Sequence, residues 1–148
     1  MHSESTTKGE LVKLQKGLLT EADARAMLES IRWPEGVRCV FCDSDKVGSF
    51  TSKQSVRANG RTIPERHLYR CRDCKKQFSV TKGLIFEDSK IPLTTWIGVM
   101  YRMCSSKRGI SAYQIMREYG LNYEAAWFML HRIRFGMNDK SPTPLMVS

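Results

Sequence analysis

Four cysteines in two closely spaced pairs are the residues that point most directly to chemistry. Cys39 and Cys42 form one C-x2-C pair, Cys71 and Cys74 form another, and 28 residues separate the pairs. Two such pairs can supply four thiolates to one tetrahedral ion, most often zinc. The spacing therefore predicts a single structural Zn2+ bound by all four residues. Such a closed site has no open coordination position for a substrate.

His67 and Cys104 are two further candidates for metal or redox chemistry. His67 lies between the cysteine pairs, but four thiolates already complete the coordination shell, so we expect a solvated histidine. A rubredoxin-like iron site, which would carry electrons, is the alternative interpretation of the same four thiolates. The fifth cysteine, Cys104, falls on an apolar helical stripe, and we expect it to be buried as a small hydrophobic residue rather than to act as a nucleophile.

Short strands are expected to position the cysteines. Residues 46–52, 67–70 and 75–81 have strand character, and Asn59-Gly60 marks a turn between them. Paired cysteine turns followed by short strands describe a zinc ribbon. This segment has little core, so metal binding would have to supply its folding free energy, about 10 kcal/mol or more.

A helix is predicted ahead of the ribbon. Thr20 is expected to be its N-cap, with Asp23 at the capping-box position. It must end before Trp33-Pro34, because proline disfavours helical geometry in the preceding residue. Its apolar stripe recurs at i, i+3, i+4 and i+7 and consists of Ala24, Met27, Leu28 and Ile31.

Three more helices are predicted after the ribbon. The first starts near Pro92, and its stripe comprises Leu93, Trp96, Ile97, Met100, Tyr101 and Cys104. Ser111 caps the second, which ends at Gly120, and Asn122 caps the third. Helix, short glycine-containing turn and helix is the layout of a helix-turn-helix unit.

The last helix is expected to have one packed and one exposed face. The packed face would contain Tyr123, Ala126, Leu130, Ile133 and Met137, with Trp127 beside it. The exposed face, bearing Glu124, Phe128, His131, Arg132 and Phe135, could enter a DNA major groove. The alternative is a plain three-helix bundle with solvated basic residues.

Charge favours a polyanionic partner. The chain has 24 Lys+Arg and 15 Asp+Glu, a net charge of +9, and residues 53–76 carry eight basic and two acidic side chains. No apolar run is long enough to span a bilayer and no signal pattern opens the chain, so we expect a cytoplasmic, nucleoid-associated protein without a membrane partner. Candidate DNA contacts are Arg70, Arg72, Lys75, Lys76, Arg108, Tyr123, Glu124, His131, Arg132 and Arg134.

Several phrases of the sequence, in the same order, resemble bacterial zinc-ribbon transposases of insertion sequences. They are residues 32–37 (RWPEGV), 69–83 (YRCRDCKKQFSVTKG), 85–93 (IFEDSKIPL), 105–111 (SSKRGIS) and 126–134 (AWFMLHRIR). The resemblance covers residues 19–137. It implies a ribbon that binds zinc through the four cysteines, followed by a helix-turn-helix that recognises the inverted repeats at transposon ends in double-stranded DNA.

Members of that family continue into a nuclease domain of the DDE type, whose acidic residues hold two metal ions. Glu87, Asp88, Glu118 and Glu124 match no nuclease position, so we expect a truncated transposase or a separate DNA-binding piece that is not itself an enzyme. Possible protein partners are a second copy of the chain or a full-length transposase. A zinc-ribbon transcriptional regulator is a further alternative.

The expected architecture is small α+β, with short antiparallel hairpins around a four-cysteine site and an all-α three-helix helix-turn-helix unit. The predicted boundaries are a flexible N-terminal tail (1–18), an N-terminal helix (19–34), a zinc ribbon (35–83), a helix-turn-helix domain (84–137) and a flexible C-terminal tail (138–148).

Overall fold

A computed structural model describes Gly17 and residues 19–138 of the chain. Apart from Gly17 and Asn138, the two predicted tails lie outside these residues. The described part is α+β, as predicted, with antiparallel strands followed by helices. Its elements are α1 (Glu21–Arg32), β1 (Val47–Ser52), β2 (Ser55–Val56), β3 (Thr62–Ile63), β4 (Arg66–Cys71), β5 (Gln77–Phe78), α2 (Leu93–Ser105), α3 (Ala112–Tyr119) and α4 (Tyr123–Asn138).

The chain divides into two compact units. One contains residues 28–82, here called the ribbon unit, and the other contains the described residues before Leu28 together with those from Gly83 onward, here called the helical unit. The boundary therefore falls within α1. No helix among the described residues is long and apolar enough to cross a membrane.

The ribbon unit contains a three-stranded antiparallel sheet in the order β1-β4-β5. The register of β1 and β4 runs from the pair Val47 and Cys71 to the pair Ser52 and Arg66. A separate two-stranded sheet joins β2 to β3 through a turn at Gly60, whose φ of 76° favours glycine. The predicted strand at 75–81 is shorter than expected, since only Gln77–Phe78 pairs with β4.

An aromatic cluster forms the core of the ribbon unit. The rings of Tyr69 and Phe78 stack at 5.6 Å, and Trp33 meets both edge-on at 5.5 and 6.1 Å. The end of α1 is held to the same cluster, because Arg32 donates to the carbonyl of Val80 at 2.6 Å and the Tyr69 hydroxyl donates to Glu29.

These contacts explain an error in the predicted stripe of α1. Ala24 and Leu28 are buried, but Ile31 is 60% exposed. Arg32 and Glu29 face the sheet, and Ile31 lies about 100° away from Arg32 around the helix. The capping box at the other end of α1 is confirmed, because Thr20 Oγ1 accepts from the backbone N–H of Asp23 at 3.2 Å and the Asp23 carboxylate accepts from that of Thr20 at 3.3 Å.

In the helical unit, a carboxylate from α1 caps α2. Pro92 precedes α2 and provides no side-chain cap. Instead, Glu21 accepts hydrogen bonds from the backbone N–H groups of Leu93 at 3.1 Å and Thr94 at 2.9 Å. An anionic side chain at this end also opposes the positive end of the helix dipole. No local pattern in the sequence indicates this cap, because Glu21 and Leu93 lie 72 positions apart.

The segment between the last strand and α2 is packed rather than an open linker. Leu84, Ile85 and Phe86 are each at most 4% exposed. The Phe86 ring meets Trp96 edge-on at 5.4 Å, and Trp96 Nε1 donates to Ser89 Oγ at 2.9 Å. Three consecutive apolar residues after Gly83 were the sequence signal for this packing.

The caps of the last two helices agree with the prediction, but several buried faces do not. Ser111 accepts from Gln114 N at 3.2 Å, and Asn122 accepts from Ala125 N at 2.7 Å.

Cys104, expected to be buried, is exposed. Tyr123 and Met137, expected on the packed face of α4, are 42% and 55% exposed, since that face consists of Ala126, Met129, Leu130, Ile133 and Gly136.

The buried face of α2 differs from the predicted stripe and includes Gly98, which lies close to Tyr119 of α3. An added Cβ at Gly98 would lie 2.8 Å from the Tyr119 hydroxyl and 3.2 Å from Cε1 of the same ring. The buried residues of α2 are Trp96, Gly98 and Val99, and Cys104 falls outside this set.

Gly98→Ala is expected to destabilise the helical unit by about 1 kcal/mol, because overpacking outweighs the better helix propensity of alanine. Urea unfolding followed by the helical circular dichroism signal would measure this. The double variant with Tyr119→Phe should recover part of the loss. An increase in stability for Gly98→Ala alone would contradict the close packing.

Candidate metal centre and nucleic-acid interface

The four cysteine sulfurs converge in the ribbon unit. Sγ atoms of Cys39, Cys42, Cys71 and Cys74 all lie within 4.8 Å of one another. Cys39 and Cys74 are 3.5 Å apart and Cys42 and Cys71 are 3.6 Å apart. A tetrahedral ion with Zn–S distances of 2.3 Å requires sulfurs about 3.8 Å apart, so the donor set fits a single four-thiolate ion.

The two cysteine turns have the same backbone pattern. The N–H of Cys39 donates to the carbonyl of Ser44 at 2.9 Å, and that of Cys71 donates to the carbonyl of Lys76 at 3.1 Å. In both turns the acceptor lies five residues after the first cysteine. A side-chain bond also joins the turns, because Ser44 Oγ donates to the Asp73 carboxylate at 2.5 Å. This bond and Lys46 nearby lower the pKa of Asp73.

The residue after the second cysteine is left-handed in both turns, although neither is glycine. Asp43 has φ of 59° and Lys75 has φ of 60°. Aspartate adopts this conformation more readily than lysine, because its short side chain can bond locally. The strain is therefore concentrated at Lys75.

Lys75→Gly is expected to stabilise the metal-bound ribbon unit by up to about 1 kcal/mol. It removes a left-handed penalty of about 1–2 kcal/mol, partly offset by the greater freedom of glycine in the unfolded chain. Thermal unfolding of the metal-loaded protein would measure the gain. Asp43→Gly is the matched control and should gain less, so an equal or larger gain there would contradict the argument.

The thiols perturb one another strongly. Backbone hydrogen bonds, chiefly from Cys74 and then from Asp73, outweigh desolvation and lower the pKa of Cys71 to about 7. For Cys42, a backbone hydrogen bond from Ser44 lowers the pKa, but desolvation and the three neighbouring thiols raise it to about 12. Four thiols this close cannot all ionise without a cation, so metal binding must release protons and must weaken as pH falls.

Neither His67 nor Cys104 belongs to the four-cysteine cluster. The His67 Nδ1 lies 3.4 Å from Thr51 Oγ1, and its ring meets Tyr69 edge-on at 5.2 Å. Among the described residues, the group of cysteine, histidine and acidic side chains close enough to hold an ion consists of the four cysteines alone.

The basic candidates of the ribbon unit lie around the second cysteine turn. Arg70, Arg72, Lys75 and Lys76 are all exposed. Arg70 is on β4, and the next three follow within the turn. Lys76 Nζ lies 4.8 Å above the ring of Phe41, which belongs to the first cysteine turn. This positive surface is therefore fixed to the metal centre by the backbone.

The candidates of the helical unit lie mainly on α4. Glu124, His131 and Arg134 are exposed, and Arg108 is exposed in the turn before α3. Tyr123 packs on Tyr113 at 4.8 Å. Arg132 is half-buried, because its guanidinium stacks on Phe128 at 5.3 Å and donates to the Glu87 carbonyl at 3.4 Å.

The exposed face of α4 carries more aromatic side chains than its apolar pattern predicts. Trp127, Phe128 and Phe135 are 49%, 53% and 61% exposed. The Trp127 ring also contacts His131, with 4.0 Å between ring centroids. The sequence pattern predicts Trp127 beside the packed face, but Trp127 is on the open surface because Ala126, Met129 and Leu130 fill the interface instead.

Comparison with known proteins agrees with this geometry. Residues 19–77 match the family model of the transposase zinc-ribbon domain. The chain is also 25% identical, over 127 residues, to a protein of the transposable element ISH50 from Halobacterium salinarum. That match covers 86% of this chain and 39% of the relative, so the chain spans well under half of the relative's length. No solved structure matches the chain.

Proposed function

We propose that this chain, whose residues 19–77 match a transposase zinc-ribbon domain, is the DNA-binding part of an insertion-sequence transposase and recognises transposon ends. The observation that carries the proposal is the matched domain together with its converged thiolates. The ribbon would hold Zn2+, which makes this small unit rigid, and its exposed basic side chains would contact DNA phosphates.

Zinc is proposed over iron because the family match is to a zinc-ribbon domain. The rubredoxin-like alternative uses the same four thiolates. Visible absorbance distinguishes the two, since iron thiolate sites absorb visible light and zinc thiolate sites do not. A colourless protein with one zinc per chain supports the proposal. A red protein with one iron per chain would overturn it.

The helices α3 and α4 would supply sequence recognition as a helix-turn-helix. The turn between them is short, with Gly120 left-handed at φ of 65° and Asn122 capping α4. Glu124 near the start of α4 could accept from cytosine N4, and Trp127 and Phe128 offer apolar contact suited to thymine methyl groups. Arg108 and Arg134 would contact the phosphates.

A fluorescence-anisotropy titration tests this function. The protein should bind a duplex carrying the element's inverted repeat at least about tenfold more tightly than a random duplex at moderate salt. Glu124→Gln should reduce this preference. Arg134→Gln should weaken binding to both duplexes and should make the plot of log affinity against log salt concentration less steep by about 0.9. Arg117→Gln, an exposed arginine on α3, is the matched control. Equal affinity of the unaltered protein for both duplexes would contradict recognition of transposon ends.

We further propose that this part of the transposase does not cleave DNA. Two-metal cleavage needs several carboxylates around the ions. Glu87 accepts from Gly83 N, Glu118 is paired with Arg102 at 2.6 Å, and Glu124 is exposed on α4. The purified protein should leave supercoiled and inverted-repeat DNA intact in the presence of Mg2+ or Mn2+. Cleavage at the repeat ends would overturn this part of the proposal.

A further inference from the structure

An open groove on the ribbon unit lies where β1 and β4 pair. Its volume is about 260 Å3, and its lining includes Gly48, Ser49, Phe50, Arg70, Arg72 and Lys75. We propose that this β1–β4 groove seats the phosphate backbone of one strand of duplex DNA, with Gly48 leaving space for its close approach. The proposal rests on the DNA-binding function proposed above and assigns part of that binding to a particular surface.

Gly48 is the residue that the fold itself does not explain. It lies inside β1, opposite Arg70, and its φ is not in the left-handed region. A Cβ built at this position would meet no atom within 4 Å. Other residues favour a strand more than glycine does, and a glycine within a strand often marks the close approach of a ligand or another backbone. The missing side chain therefore keeps the groove open.

The side chains around Gly48 have the charge that a phosphate backbone requires. Residues directly opposite in an antiparallel pair project from the same face of a sheet, so Arg70 emerges beside the space above Gly48. Arg72 and Lys75 follow at one end of the groove, and both are exposed. Three cations around an uncharged floor suit consecutive phosphates of a DNA strand better than an apolar partner.

The test is to fill the groove without changing its charge. Gly48→Val adds a strand-favouring side chain in open space, so the metal content and the circular dichroism spectrum should stay the same. Affinity for duplex DNA should fall at least tenfold. Ser55→Val is the matched control, because it adds an exposed branched side chain in β2, outside the groove, and should leave the affinity unchanged.

A charge variant provides a second measurement that does not depend on tolerance of valine. Arg70→Gln combined with Lys75→Gln should make the plot of log affinity against log salt concentration less steep by about 1.8, as expected for two lost phosphate contacts. Lys53→Gln combined with Arg57→Gln removes the same charge from exposed positions outside the groove, and the salt slope should then change less.

The outcomes separate this proposal from the one on which it rests. If the unaltered protein binds no duplex, the proposed function fails, and the groove assignment fails with it. If the unaltered protein binds duplex and Gly48→Val binds it equally well, only the groove assignment is overturned. If Gly48→Val loses its metal, the two charge variants decide, and equal salt slopes for them overturn the assignment.

Discussion

Replacing Cys71 with serine is expected to abolish metal binding and to unfold residues 28–82. A structural four-thiolate zinc contributes about 10–16 kcal/mol in small zinc peptides. The ribbon unit has a three-stranded sheet, a two-stranded sheet and one aromatic cluster, and this core cannot replace that free energy. Metal analysis should show loss of the bound ion, and amide NMR signals of this unit should collapse to unfolded positions. Signals of residues 97–138, beyond the first turn of α2, should stay dispersed.

Cys104→Ser is the matched control for this experiment. Cys104 is an exposed free cysteine on α2, outside the metal cluster. Its replacement should change neither the metal content nor the NMR spectrum beyond its neighbours. Metal retention by Cys71→Ser would contradict the four-thiolate site. Collapse of the helices together with the ribbon unit would contradict the assignment of two separately stabilised units.

Trp96→Ala is expected to destabilise the helical unit by about 3–5 kcal/mol. Trp96 is 1% exposed, contacts Phe86 and donates its indole N–H to Ser89. The substitution leaves a cavity and removes a hydrogen bond in one step. Because whole domains of this size are stable by only about 5–15 kcal/mol, this loss removes a large fraction of the stability of the helical unit. Urea unfolding at 10 °C, followed by helical circular dichroism, would measure the loss.

Trp127→Ala provides the comparison, since the same residue type is removed from the exposed surface of α4. It should change stability by less than about 0.5 kcal/mol. A loss as large as that of Trp96→Ala would show that the aromatic face of α4 is part of the core. Reduced DNA affinity with unchanged stability would agree with its proposed apolar contacts to DNA.

Local signals in the sequence predicted that the four cysteines would cluster and where the helices would be capped. The spacing of the four cysteines was sufficient, because a C-x2-C turn brings two sulfurs together by backbone geometry alone. The caps at Thr20, Ser111 and Asn122 were also predictable, since each acts on a backbone N–H three residues away.

Features that depend on distant packing could not be read from the sequence. Apolar periodicity predicts Cys104 on the buried stripe of α2, but the buried residues of that helix include Gly98, which lies close to Tyr119 of α3, and Cys104 is exposed. Similarly, α4 has apolar residues on every side, so periodicity could not decide whether Trp127 or Met129 would be buried. The groove at Gly48 depends on strand register, which the sequence did not provide.

The cap that Glu21 forms on α2 has a consequence for how metal content affects the helices. The 55 residues of the ribbon unit are inserted into the chain between Glu21 and the helix that it caps. While the ribbon unit is folded, the bond from Arg32 to Val80 keeps the two ends of this insertion together. Once its metal is removed, the insertion becomes a flexible loop of the same length. Bringing the two ends of that loop together then costs about 3–4 kcal/mol of conformational entropy. Metal depletion should therefore fray the first turn of α2 while the rest of that helix persists.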